Sequence, residues 1–165
     1  VRITRGIFYI HKNLKLKNAV KFEYKKINDK NLVPLLADIC NSNILIKKDE
    51  IYLVDFAPSQ YMFPVNTCNI LGSCYFDLAA LIYTFKLPPL IYRFFQKTDN
   101  LDYEKIIITS YFSESNINFN SKYLSYAKEF YLRRYLLSLK DKPLVYKFWK
   151  NIINNELKKI KYVCI

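Results

Sequence analysis

The sequence predicts an α+β domain, mainly helical, in which one helix precedes a small β element and a helical bundle follows. Three observations carry this. Short apolar runs, Leu32 to Ala37, Asn43 to Ile46 and Ile51 to Phe56, are separated by the polar turns Asp38 to Ser42 and Lys47 to Glu50. Beyond Ser73 the apolar residues recur at helical spacing, with Pro88, Pro89 and Pro143 between runs. The 165 residues are 52% hydrophobic and 17% aromatic with only two glycines, Gly6 and Gly72, so the chain reads as one packed domain over residues 1–165.

In chain order, Ile3, Ile7, Phe8, Ile10, Leu14 and Leu16 stand at threes and fours, which predicts an amphipathic helix over 1–18. A lysine-rich stretch follows to about Lys30. The three apolar runs then form the β element, and residues 58–72, with Pro58, Pro64, Asn66 and Asn69, read as irregular. Tyr75 to Lys86 is apolar around nearly its whole circumference, which predicts a buried helix. Further helices are expected at about Leu90–Lys97, Leu101–Phe112, Ser121–Leu139 and Pro143–Lys159.

A formal net charge of +12 favours anionic partners, among them nucleotides, phosphorylated sugars, nucleic acids and anionic membrane surfaces. Cys40, Cys68, Cys74 and Cys164 form no C-x-x-C pair and read as small buried groups in a reduced, cytoplasmic setting; Cys40 falls in the first polar turn. No apolar run reaches the roughly 18–20 residues of a membrane span. The sole histidine, His11, reads as a surface residue of the first helix without a role.

The segment that carries chemistry runs from Leu35 to Phe85. Asp38 precedes Asn43 by five positions, and Asp55 ends the apolar strand after the next turn. Phosphoryl transfer needs a group that orients an acceptor hydroxyl and oxygen donors that hold magnesium against nucleotide phosphates. The layout D-x-x-x-x-N, strand, turn, strand, D supplies both. Asp38 and Asn43 are also turn formers in their own right, through local hydrogen bonds. Asp55 in an apolar strand requires a partner or a metal. Asp77, in the first turn of the buried helix, is favoured there by the helix dipole as well as by any bracing role.

At these residues the sequence resembles the protein-kinase-like superfamily, whose H-x-D-x-x-x-x-N catalytic loop is followed by a hairpin and a metal-binding Asp. Asp38-Ile-Cys-Asn-Ser-Asn43 and Ile51-Tyr-Leu-Val-Asp55-Phe56 carry the likeness. Tyr75-Phe-Asp-Leu-Ala-Ala-Leu-Ile-Tyr83 is similar to the "D-L-A" helix of aminoglycoside phosphotransferases, choline kinases and lipopolysaccharide core kinases, and the spacing on to Tyr103–Phe112 is nearest to the last of these. The resemblance implies the C-terminal lobe of the kinase-like fold, with Asp38 catalytic, Asn43 and Asp55 holding Mg2+, and Asp77 as structural support of the catalytic loop. It implies ATP as phosphoryl donor and a hydroxyl of a sugar or lipopolysaccharide core as acceptor. The basic, aromatic face of Lys128 through Lys161 is also compatible with a peripheral contact at the inner membrane that reaches a lipid-linked sugar.

The sequence also departs from that pattern. Leu36 stands where the family has its loop His, and Ala57 and Pro58 follow Asp55-Phe56 in place of Gly. The 37 residues before Asp38 contain no Gly-rich loop and no strand lysine paired to a helix glutamate, so the nucleotide-covering N-lobe is expected to be missing or supplied by a separate chain. Two alternatives stand beside the kinase. One is a degenerate pseudokinase lobe acting as a binding module. The other is a basic nucleic-acid-binding helical domain built on Lys128 through Lys161, whose aromatics fall mostly at helical spacing and so favour a packed core over base stacking.

Overall fold

The computed structural model describes residues 1–36, 39–48, 50–54, 63, 69–87 and 102–163. Helix α1, Arg2–Asn13, turns Thr4, Ile7 and His11 inward, positions three and four apart that share one face. It ends sooner than the expected 18, because Leu14 is already extended and Asn18 adopts φ 51, a left-handed conformation that Asn tolerates.

The chain then builds two small sheets. Strands β1 (Val20–Lys21), β2 (Leu32–Pro34) and β5 (Ile70–Ser73) form a mixed sheet with β5 in the centre, parallel to β1 and antiparallel to β2. The lysine-rich stretch and the segment read as irregular therefore each contribute a strand. β1 is two residues long and β5 holds a glycine, so neither shows an alternating apolar signature. Pro34 is accommodated because β2 is an edge strand. Gly72 answers to packing: a Cβ there would lie 2.6 Å from Leu35 Cδ1.

Strands β3 (Ile44–Lys47) and β4 (Glu50–Leu53) form the expected antiparallel hairpin. Pairing of Lys47 with Glu50 leaves a two-residue loop in which Lys48 has φ 53, the positive value that tight hairpin turns demand. Ile44 and Leu53, paired across the strands, pack against the core, while Leu45 and Tyr52 face outward.

Helix α2, Tyr75–Lys86, is the axis of the molecule, with every residue from Tyr75 to Thr84 buried. Helices α3 (Tyr103–Phe112) and α4 (Ser121–Ser138) pack on it, α5 (Pro143–Val163) packs on α4, and α1 lies against α3 and β2. Asp102 and Asn120 cap α3 and α4 by accepting from the backbone N–H groups of Lys105, and of Lys122 and Tyr123. The helix expected at about 90–97 lies outside the described residues. One core surrounds α2 on the side of α1, the mixed sheet and α3. A second, with Tyr83, Leu132, Trp149 and Ile153, joins the end of α2 to α4 and α5. The protein is thus α+β and mostly helical, and among the described residues no helix is long and apolar enough to cross a membrane.

Candidate functional site

The segment joining β2 to β3 contains Asp38 and Asn43, and it is tied to α2 on both sides of position 38. Upstream, the Leu36 N–H donates to Asp77 Oδ2 at 2.8 Å. Downstream, Thr84 Oγ1 donates to the Ile39 carbonyl at 2.6 Å and shares its hydrogen with the Ala80 carbonyl one turn back in its own helix. Asp77 and Thr84 are seven residues apart, two turns along one face of α2, so the helix acts as a ruler for the segment. Ile39 is buried between these ties.

Asp77 is 1% exposed, and it does not stand alone in the core. Its Oδ2 lies 2.9 Å from His11 Nε2, and His11 Nδ1 lies 2.7 Å from the Tyr111 hydroxyl. A carboxylate can only accept, which places a hydrogen on Nε2; in the neutral imidazole Nδ1 then accepts from the tyrosine. Burial holds the Tyr111 hydroxyl well above its ordinary range, with the neighbouring Cys74 thiol and the Asp77 carboxylate adding to the effect, so it remains a donor. Burial likewise pushes the Cys74 thiol up to about 12. A relay thus runs from α3 through α1 to α2 and ends on the loop backbone. His11, at 6% exposure, is a buried bridge rather than the surface residue its isolation suggested. The signal available in the sequence was its place on the Thr4–Ile7–His11 face of α1.

Asn43 closes the segment at the end of a 3-10 turn, Asn41–Asn43. Its N–H donates to the Cys40 carbonyl at 3.0 Å, its own carbonyl accepts from the Val54 N–H at 2.9 Å, and its side-chain oxygen accepts from Ser42 Oγ at 3.3 Å. The Asn43–Val54 bond extends the hairpin by one rung, opposite the residue that immediately precedes Asp55 in the chain. Asp38 and Asp55 themselves lie outside the described residues. Among the described residues no group of three or more His, Cys, Asp or Glu could hold a metal; the Asn43 amide is an oxygen donor of the kind magnesium takes.

Leu36, which stands where the resembled family has a histidine, is buried in the core. With Leu35, Tyr9, Ile10, Leu14 and Leu16 it lines a groove of about 520 Å³ without ionisable side chains other than the Tyr9 phenol. Comparison of the chain with protein-family models, with curated proteins and with solved structures returns no match.

Proposed function

We propose that this chain is a kinase-like catalytic lobe that transfers the terminal phosphoryl group of ATP to a hydroxyl of a sugar or of a lipopolysaccharide core. The observation that supports the reading is the double tie of the loop to α2, by Asp77 at Leu36 and by Thr84 at Ile39, together with the rung that sets Asn43 across from Val54. A turn formed only by local Asx bonds needs no such anchoring to a buried helix. In the proposed chemistry the acceptor oxygen forms a bond to phosphorus as the bond to the ADP oxygen breaks, and Asp38 orients the hydroxyl and takes its proton. Asn43 and Asp55 are the residues that would hold magnesium, which when bound neutralises charge on the phosphates.

Leu36 favours a second reading, a pseudokinase lobe that binds a partner, because an apolar side chain packed in the core cannot supply the hydrogen bonds of a loop histidine. Thermal unfolding with and without ATP and magnesium, joined to an assay of ADP formation and acceptor phosphorylation, separates the two. The kinase predicts a magnesium-dependent rise in Tm and acceptor-dependent formation of ADP, both lost in Asp55→Ala. At ligand tenfold above Kd the stabilisation is about 1.4 kcal/mol. A rise without ADP formation in the presence of sugar acceptors would select the pseudokinase. No rise at millimolar nucleotide, with salt-sensitive binding of single-stranded nucleic acid, would select the basic binding domain.

A further inference from the structure

Helix α5 carries two faces of opposite character. Trp149, Ile153 and Ile160 are buried against α4 and the end of α2. On the other side Leu144, Phe148, Asn151 and Asn155, spaced by fours and threes, form a single exposed stripe. At its start Leu144 is 84% exposed and Phe148 44%, and Leu137, in the last turn of α4 at the same end of the helix pair, is 40% exposed. Isolated apolar side chains on a surface need no explanation, but three at one corner do.

The charge around them is mostly positive. Lys140 and Lys142, in the turn between the helices, and Lys147 and Lys150, on α5, are all exposed, and between Leu137 and Lys150 the sequence holds one acid, Asp141. Along α5 the first acidic residue is Glu156, which is half-buried and paired with Lys159. Exposed aliphatic and aromatic tips within a collar of lysines suit a surface that is anionic outside and apolar a few ångströms in. They suit nucleic acid less well: Leu144, the most exposed of the three, offers a base nothing to stack on.

We infer that the α4–α5 corner is an interfacial membrane anchor, in which Leu137, Leu144 and Phe148 enter the headgroup region of an anionic bilayer while Lys140, Lys142 and Lys147 bind its lipid phosphates. This inference rests on the surface alone and is independent of the proposed phosphoryl transfer. The occupant is a lipid surface, because a charged collar and an apolar tip together match the layering of a bilayer.

The test is co-sedimentation of the whole chain with sucrose-loaded vesicles, pure phosphatidylcholine against phosphatidylcholine with about one third phosphatidylserine. Binding to the anionic vesicles only is expected, weakening with salt. Leu144→Asp should lower it about tenfold, as loss of an inserted leucine does. Each of Lys140→Glu, Lys142→Glu and Lys147→Glu should lower it roughly fivefold or more. Folding is protected in the first variant, since an acid in the first turn of a helix is favoured by the dipole, and circular dichroism melting verifies it. Equal binding by wild type and Leu144→Asp, or no binding to anionic vesicles, would overturn the anchor. So would single-stranded RNA that binds both proteins alike and displaces the vesicles; that result assigns the corner to nucleic acid.

Discussion

At the scale of single residues, Asp77 concentrates the most consequence in the fewest atoms. Its Oδ2 receives both the Leu36 N–H and His11 Nε2 inside the core, so truncation strands two donors that water cannot reach. Asp77→Ala is expected to cost about 3 kcal/mol of unfolding free energy in urea titration. Asp77→Asn, which keeps one carbonyl acceptor, should cost clearly less. Equal stability of wild type and Asp77→Ala would mean that these bonds exchange freely with water. His11 shows why composition alone misleads for a lone histidine: its role depends on Tyr111, one hundred residues away in sequence, and on a carboxylate that arrives from a third helix. Cys74 is the matching negative case. A thiol raised to about 12 by burial should resist alkylation in the native protein at pH 8 and react once unfolded, as mass mapping of the labelled peptide would show.

At the scale of elements, α2 and its neighbours decide where the loop sits. Thr84→Val keeps the volume and removes the hydroxyl that holds the Ile39 carbonyl. It should lower stability by about 1 kcal/mol and, if the loop is catalytic, reduce phosphoryl transfer by more than that loss of stability explains. Unchanged kcat in a destabilised Thr84→Val protein would confine the bond to structure. Gly72 performs the corresponding service in β5, where Leu35 covers the position a side chain would take. Gly72→Ala is expected to cost about 1–3 kcal/mol, because the added methyl would meet the Leu35 side chain at 2.6 Å and force this buried residue to shift. A melting temperature equal to wild type would show that Leu35 repacks without penalty.

At the scale of the molecule, three helices meet at one carboxylate. Glu104 of α3 accepts from Lys86 of α2 at 2.6 Å and from Lys128 of α4 at 2.8 Å. Burial alone would raise its pKa, but the two ammonium groups overcome this and hold it below the ordinary 4.5. Glu129 of α4 is lowered in the same balance, burial being outweighed by Lys26 and Arg133. A carboxylate whose pKa is depressed by folding contributes stability that is fully present above its unfolded value and is lost as pH falls through its folded one. Unfolding free energy should therefore hold steady near neutrality and decline below about pH 4.5, and Glu104→Gln should flatten part of that decline. An identical acid profile in Glu104→Gln would show that the helices do not rely on this junction.

Local and regular features were legible in the sequence. The start and end of α2, the hairpin with its Lys48 turn and the starts of α4 and α5 each follow from residues within one or two turns of themselves. Such features depend on periodicity, caps and prolines, which short-range patterns record. The spacing of Asp38, Asn43 and Asp55, with Asp77 in the helix that follows, is likewise a property of the sequence, and the functional reading rests on it. The tertiary structure alone decided the central place of β5, a strand of ordinary composition that exists because β1 and β2 flank it. It alone decided that Leu36 faces the core, that His11 joins Tyr111 to Asp77, and that Thr84 reaches Ile39. Each of these is a contact between residues distant in the chain, and no local pattern specifies a partner that only the packing of helices and strands brings within hydrogen-bonding range.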